Sequence, residues 1–533
     1  MTHNISRALD PVVPSRRLVV SAISLLLLLG VTSVVLFLAL HSPLKDDIAW
    51  LLYVARRWMA GRELYIDVVE VNPPLIIWIS AAPLEIAQLL NVEPQFVVMP
   101  MFVAAVLSCA WWSARLLHTR GGIFTQTLPM LAAIGTALLI LPASDLGQRE
   151  HLLVAACLPY LVLFANSLDG KPAPWFALLG AGVLAGLGCA LKPRYAGVFV
   201  VLECLALTRG LRPWRLMPMA AATALLAYAG LVAIVCPAYL QRAVPMALAL
   251  YGATDASFLS LLSDCAILLV GQAVVIALLW LRRRSLFDYE LMLTLVTFAV
   301  IATVVCFVDG KNWYYHRLPA IVTTVLALLL WIVTELAQCR WRNRGPVLAG
   351  CFAVLVFCGS AVQRMEPEAE EAVVPTHTVV DRLERILRDE HARTYVALSE
   401  WIALGFPVVN ETGVSWASRF DSMWALRGEV WRAQFDPATD LEWPIAGWVA
   451  HDFIAGCPDI AVVDTRETTN YINVLSAADP AFARVWSRYR PIALFDGLVV
   501  YKRGRAGCLD VWVAAESGPA IGSRSKVPPS QAN

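Results

Sequence analysis

Apolar residues come in this chain as long runs separated by short polar breaks, a pattern of buried or membrane-crossing helices. The first run, LVVSAISLLLLLGVTSVVLFLAL, occupies residues 18–40 without a charge. At about 1.5 Å per residue it reaches roughly 34 Å, enough to cross a hydrocarbon core of about 30 Å. No small-residue cleavage pattern follows it, so it reads as a retained helix and not a signal peptide. Further runs lie at 96–114, 123–142, 152–168, 175–191, 195–208, 216–236, 262–281, 289–308, 318–337 and 346–362. Together they predict about eleven spans. Residues 73–92 are also apolar but carry Pro83, Glu85 and Gln88. These are costly in lipid, and the segment is expected to lie at or dip into the interface.

From residue 363 the pattern changes. The charged stretch QRMEPEAEEA gives way to short apolar pieces, TYVALS (394–399), DIAVVD (459–464) and GLVVYKR (497–503). They read as buried strands, with helices predicted over 378–391 and 480–489. The tail from Gly518 is rich in Ser, Pro, Gly and Lys and is expected to be disordered. The fold class expected is thus a polytopic α-helical membrane protein with a small extracytoplasmic α/β domain. Residues 1–362 form the membrane domain, with a first outer loop at 41–95; the α/β domain covers 363–517 and the tail 518–533.

Composition supports the bilayer reading. Of 533 residues 59% are hydrophobic and 16% charged, against roughly 25% charged in a soluble protein. The formal charge of +1 gives no sign of a nucleic-acid partner. The 12 cysteines include no CxxC pair; Cys457 and Cys508 lie in the polar region, where an oxidising compartment permits a disulfide.

Charge placement orients the chain. Basic residues of short loops stay cytoplasmic. One alternating path puts Arg7, Arg16 and Arg17, Arg115 and Arg120, Lys171, the arginines at 209, 212 and 215, those at 282–284, and those at 340, 342 and 344 on the same side. That path requires residues 73–92 not to cross. It predicts a cytoplasmic N-terminus, an inner-membrane location, and an outer, periplasmic face holding 41–95, 143–151, 192–194, 237–261, 309–317 and everything after 363.

Ionisable groups on that outer face are the candidate chemistry. The first outer loop opens with Asp46 and Asp47 and later holds Asp67 and Glu70. Such carboxylates are either solvated caps or an acceptor for the proton of an attacking hydroxyl. SDLGQREHLL packs Asp145, Arg149, Glu150 and His151 between two apolar runs, expensive unless they pair or line a wet cavity. Lys192, Arg194, Lys311, His316 and Arg317 are on the face the charge rule leaves poor in cations. Lys192, Arg194, Lys311 and Arg317 either snorkel to headgroups or converge on a phosphate whose lipid tail lies between helices. There is no HExxH, GxSxG or Walker loop, so neither a metal nor another cofactor is expected.

The stretch DDIAWLLYVARRWMAGRELYIDVVEVNPPL, with QREH and GKNWYYHR, resembles the bacterial GT-C glycosyltransferases, especially relatives of protein O-mannosyltransferases and aminoarabinose lipid A transferases. The resemblance covers residues 18–362 in architecture. It implies an acid at the start of the first loop as catalytic base, juxtamembrane helices, and a polyprenyl-phosphate sugar as donor substrate. On this pattern Asp47 is preferred to Asp46, from its spacing to Trp50, Tyr53 and Ala55. Several relatives place a lysine before the first-loop proline to hold the donor phosphate; here Asn72 precedes Pro73. That shifts the expected phosphate site to Arg149, Lys192, Lys311, His316 or Arg317. The implied reaction is an inverting displacement onto an acceptor hydroxyl of a lipid, glycan or protein. The rivals are a secondary transporter, which calls for repeated halves and a midplane site, and a non-catalytic envelope assembly protein.

Overall fold

The computed structural model describes residues 12–282, 288–337, 344–373, 378–435 and 443–504. Arg7, Arg283, Arg284, Arg340, Arg342, Cys508 and the tail from 518 lie outside the described residues. The chain divides into two compact units, Met1–His377 and Thr378–Asn533. The division falls beyond residue 362 because the last apolar helix carries on through the charged segment to Val373.

The first unit is helical. Its helices are α1 (Val12–His41), α2 (Asp46–Met59), α3 (Leu75–Leu90), α4 (Gln95–Leu117), α5 (Thr127–Ile140), α6 (Arg149–Leu168), α7 (Trp175–Leu191) and α8 (Ala196–Thr208). Then follow α9 (Leu216–Val235), α10 (Val244–Leu250), α11 (Phe258–Asp264), α12 (Ala266–Arg282), α13 (Tyr289–Asp309), α14 (Tyr314–Ala337) and α15 (Arg344–Val373). Every predicted span coincides with a helix. Among the described residues, seven helices are long and apolar enough to cross a membrane, or eight crossings if the pair Tyr239–Thr254 and Phe258–Asp264, bent by 81°, counts as one. This is fewer than eleven because α5, α7, α8 and α12 hold 14, 17, 13 and 17 residues, at most about 26 Å of helix. The bent pair was not legible in the sequence, where 237–261 reads as a loop.

Local sequence explains how the elements fit. Helix α2 is amphipathic: Ile48, Ala49, Trp50, Leu51, Leu52, Val54 and Ala55 are buried, while Arg56 and Trp58 are exposed. Helix α3, 16 residues and about 24 Å long, stops at Asn91, which takes the left-handed conformation with φ 52°. Helices α7 and α9 touch backbone to side chain: a Cβ on Gly182 would sit 2.4 Å from the Met217 carbonyl, and one on Gly186 2.5 Å from that of Ala221. Small residues permit this approach in a membrane bundle.

The two ends of the bundle carry different charges. At one, buried Arg120 ties Asp288 (2.7 Å), Asn166 (2.7 Å) and Asp169 (2.5 Å) together. Lys171 also reaches Asp169 (3.5 Å), Arg209 pairs with Glu290 (2.7 Å), and Arg215 pairs with Glu203. The basic loops after α4, α6 and α8 therefore gather at one end. The other end is formed by the starts of α2, α6 and α14 and the ends of α7 and α13.

The second unit is an α/β fold. Five strands, β1 (Thr394–Leu398), β2 (Ser415–Trp416), β3 (Ile460–Asp464), β4 (Tyr489–Phe495) and β5 (Leu498–Arg503), form one sheet in the order β2-β1-β3-β5-β4. Strand β1 pairs in parallel with β2 and β3, while β5 is antiparallel to β3 and β4. Tyr395, Val396, Ala397 and Leu398 are all buried, as a central parallel strand covered on both faces requires. Six helices surround the sheet: α16 (Val379–Asp389), α17 (Val408–Thr412), α18 (Trp424–Phe435), α19 (Ile445–Gly456), α20 (Tyr471–Ala478) and α21 (Pro480–Trp486). Thr378 and Asp381 close a capping box at the start of α16. Cys457 is disulfide-bonded; Cys508, the other cysteine of the polar region, lies outside the described residues.

Candidate active site

Asp47 is fixed by the corner between α1 and α2. Asp46 and Asp47 occupy the first turn of α2, where the helix dipole favours negative charge. One turn on, buried Trp50 donates its indole N–H to Glu70 and stacks on Tyr53 with centroids 5.6 Å apart. Glu70 also accepts the Asn72 backbone N–H (2.7 Å) and its side-chain amide, and the Tyr65 hydroxyl donates to the Asn72 carbonyl (2.6 Å). Glu70 is thus the internal strut of the first loop. Asp67 is exposed and closes a turn by accepting the Glu63 N–H (3.0 Å).

The segment before α6 brings two groups to Asp47. Gly147 has φ +87°, and a Cβ there would meet the Phe102 ring at 2.3 Å, so only glycine fits. Beyond it, Gln148 Nε2 donates to Asp47 Oδ2 at 3.2 Å, and Arg149 Nη2 lies 3.5 Å from Asp47 Oδ1. His151 is fully buried: its Nδ1 accepts the Gly147 N–H (3.1 Å) and its Nε2 donates to the Leu138 carbonyl (2.9 Å). Both ring nitrogens hold the loop.

Neighbouring charges set the field. Asp145 is buried, and desolvation together with Asp47, Asp46 and Glu150 raises its pKa to about 7 against the pull of Lys45. Burial also pushes the Asp46 carboxyl up, opposed by Lys45 at 3.6 Å. Burial alone would lower the Lys45 pKa, but Asp46, Asp145 and Asp47 leave it raised.

A chain of charge continues from Arg149 through its neighbour. Glu150 Oε1 lies 2.9 Å from Lys192 Nζ and 3.6 Å from His316 Nε2. His316 Nδ1 is 3.5 Å from Asp309, which pairs with Arg194. The Tyr195 hydroxyl pins the His316 carbonyl at 3.1 Å. Arg149, Lys192, Arg194 and Lys311 all lie within electrostatic reach of His316, so these separate loops meet. Two of the expected cations are otherwise engaged. Lys311 donates to the Tyr251 carbonyl (2.5 Å), Thr254 (2.6 Å) and Asp255 (2.5 Å); burial lowers its pKa against the pull of Asp255. Arg317 donates to the Asp264 carbonyl (2.6 Å) and stacks on Tyr314. Both secure the bent segment around α10 and α11.

Saturation is incomplete at this end, as it is for Asp288 Oδ2 and Glu290 Oε2 at the other. Gln148 Oε1, Arg149 Nε, Glu150 Oε2, His316 Nδ1 and Arg317 Nε are buried without a hydrogen-bond partner, whereas buried polar atoms are ordinarily satisfied. Such atoms suit a polar ligand. Gln148 was not among the expected site residues, and Asp145 was expected only as one of the ionisable groups of its segment; the signal that could have found Gln148 is the same polar segment that holds Arg149. Among the described residues, no group of three His, Cys, Asp or Glu is arranged to hold a metal ion.

The architecture has a known counterpart. ArnT from Cupriavidus metallidurans, in a crystal structure bound to undecaprenyl phosphate, is similar over 90% of this chain and 97% of its own, with a TM-score of 0.53 and 12% identity. The arabinofuranosyltransferase AftD from Mycobacteria aligns with 95% of this chain and 41% of its own, with a TM-score of 0.41 and 14% identity. No family profile and no curated protein sequence matches the chain. The chain shares its fold with ArnT.

Proposed function

We propose that the chain is a GT-C-type glycosyltransferase that moves a sugar from a polyprenyl-phosphate donor to an acceptor hydroxyl, with inversion, at the periplasmic face of the inner membrane. The observation that carries this reading is Asp47, a carboxylate at a membrane-end corner held by Gln148 and Arg149 beside a chain of buried, under-bonded charge. In this reading the acceptor hydroxyl gives its proton to Asp47 as its oxygen bonds to the anomeric carbon. The bond from that carbon to the phosphate oxygen breaks, and the lipid phosphate leaves as an anion. It needs no strong acid, only cations where charge develops. Arg149, Lys192 and Arg194 are the candidates for that task. Arg194 keeps its side chain 59% exposed despite its pairing with Asp309. The lipid phosphate in the ArnT structure is the species that such a donor leaves behind.

The basic loops gathered at the far end agree with a cytoplasmic N-terminus and a periplasmic site. The test is mass analysis of envelope lipids and glycans after deletion of the gene, followed by the anomeric configuration of the product in a reconstituted reaction. The reading expects the loss of one sugar-sized increment and an inverted linkage. An unchanged envelope, or a retained configuration, contradicts it.

A further inference from the structure

A second site lies at the opposite end of the bundle. A cleft of about 590 Å³ separates α8 from α9 above α7, lined by Tyr160, Phe199, Glu203, Cys204, Trp214 and Leu226 among others. Its floor cannot collapse, because Gly182 and Gly186 already bring α7 and α9 into contact. The Arg215 guanidinium at its mouth lies over the Phe164 ring at 5.8 Å. Phe164 is 14 residues along α6 from Glu150, about 21 Å away.

The charges of this cleft decide what it accepts. Glu203, an acid within an apolar helix, accepts the Tyr160 hydroxyl (3.0 Å) and pairs with Arg215, so it offers no uncompensated negative charge to a cationic ligand. Arg215 Nε donates to the Arg212 carbonyl (3.0 Å), which closes the α8–α9 turn on either side of the cleft-lining Pro213 and Trp214. Arg209 is matched by Glu290, while exposed Arg212 has no ion-pair partner among the described residues. Trp214 is 81% exposed beside it, an anchor suited to the headgroup level. An apolar slot with a net positive mouth complements one long chain beneath one anionic phosphate.

We propose that the α8–α9 cleft binds an anionic phospholipid of the bilayer, with an acyl chain along Phe199 and Leu226 and its phosphate at Arg212 and Arg215. Basic pockets between membrane helices hold anionic headgroups in this way. The site is separate from the one proposed for transfer and does not depend on that reading.

The experiment uses the full chain in nanodiscs of phosphatidylcholine alone, with added phosphatidylglycerol, or with added polyprenyl phosphate. Cys204 is the exposed free cysteine among the described residues and lines the cleft, so its alkylation by a permeant maleimide, located by peptide mapping, reports occupancy. Phosphatidylglycerol should slow alkylation roughly fivefold relative to phosphatidylcholine alone, from about 1 kcal/mol per basic contact. Arg212→Gln should abolish the headgroup dependence. Ala222→Trp, at an exposed cleft-lining position, should abolish it with Arg212 intact. Equal rates in the two phospholipids, or slowing that persists in Arg212→Gln, overturns the proposal. Slowing by polyprenyl phosphate but not by phosphatidylglycerol also overturns it.

Discussion

Charge in the α/β unit is handled differently from the charge around Asp47. In the α/β unit, Arg419 grips Asp452 with bonds of 2.9 and 2.7 Å, Arg466 grips Asp464 with 2.8 and 2.6 Å, and Arg427 grips Glu400 with 2.7 and 2.6 Å. Asp464 also accepts from Ser399 (3.1 Å) and the Arg466 N–H (3.0 Å). These pairs, bidentate for Arg419 and Arg466 and shared from one nitrogen for Arg427, tie strand ends to the helices and turns that follow. Around Asp47 the contacts are looser: Arg149 at 3.5 Å, and His316 at 3.6 and 3.5 Å from two acids, with polar atoms left unbonded. Saturated charge builds a fold, whereas unsaturated buried charge is an unstable arrangement unless a ligand completes it. The difference separates groups that hold structure from groups positioned to act.

The largest effect that sharpens this contrast is expected at Arg149. Arg149→Met removes the cation facing Asp47 and should lower transfer roughly 100- to 1,000-fold, the range for one lost donor at developing charge. Transfer per folded molecule, measured with a lipid-linked donor, checks it; a loss confined to folded yield would place Arg149 with the structural charges.

Asp464→Ala probes the opposite case. It strips three bonds from Arg466 and one from Ser399, and should destabilise the α/β unit by about 1–3 kcal/mol while leaving transfer per folded molecule unchanged. Denaturant unfolding and the same transfer assay decide it. A rate loss without a stability loss would move Asp464 out of the structural class.

How far the sequence could carry these distinctions is visible in particular residues. Runs and breaks in hydrophobicity locate every predicted span, because lipid requires a long apolar helix whatever it packs against. They do not give crossing length, since α5 and α7 end where local turns begin at Pro142 and Lys192. The strands 394–398, 460–464 and 498–503 were readable from their apolar content, but the edge strand β4 was not: Arg490, Pro491 and Ile492 are exposed, and no buried face sets a period. At the site, residue type located the polar ends yet could not say which partner each group had. His151 and Lys311 look like ligands by composition, but backbone carbonyls or N–H groups bond both. Gln148 reaches Asp47 only through the fold of Gly147.

A smaller effect concerns pH. The folded pKa of Asp145, about 7, lies above the ordinary value of 3.8, so the folded state binds this proton more tightly than the unfolded state. Its stabilising contribution is complete below the ordinary value and is lost as pH rises towards about 7. Asp145→Asn should remove that decline. Ionised Asp145 also adds a negative charge that attracts the proton leaving the acceptor hydroxyl, so transfer should rise a few-fold through pH 7 in the parent and stay flat in the variant. A profile identical in both proteins would detach Asp145 from the site.

The central claim, that Asp47 is the base, is tested most directly by Asp47→Asn in a reconstituted reaction with a polyprenyl-phosphate sugar, read for transfer and for donor binding at matched expression. The substitution keeps the shape and the Gln148 contact while removing the proton acceptor. Transfer should fall about 100- to 10,000-fold with donor binding largely intact, because no cation is lost. Near-normal transfer by Asp47→Asn would contradict the account.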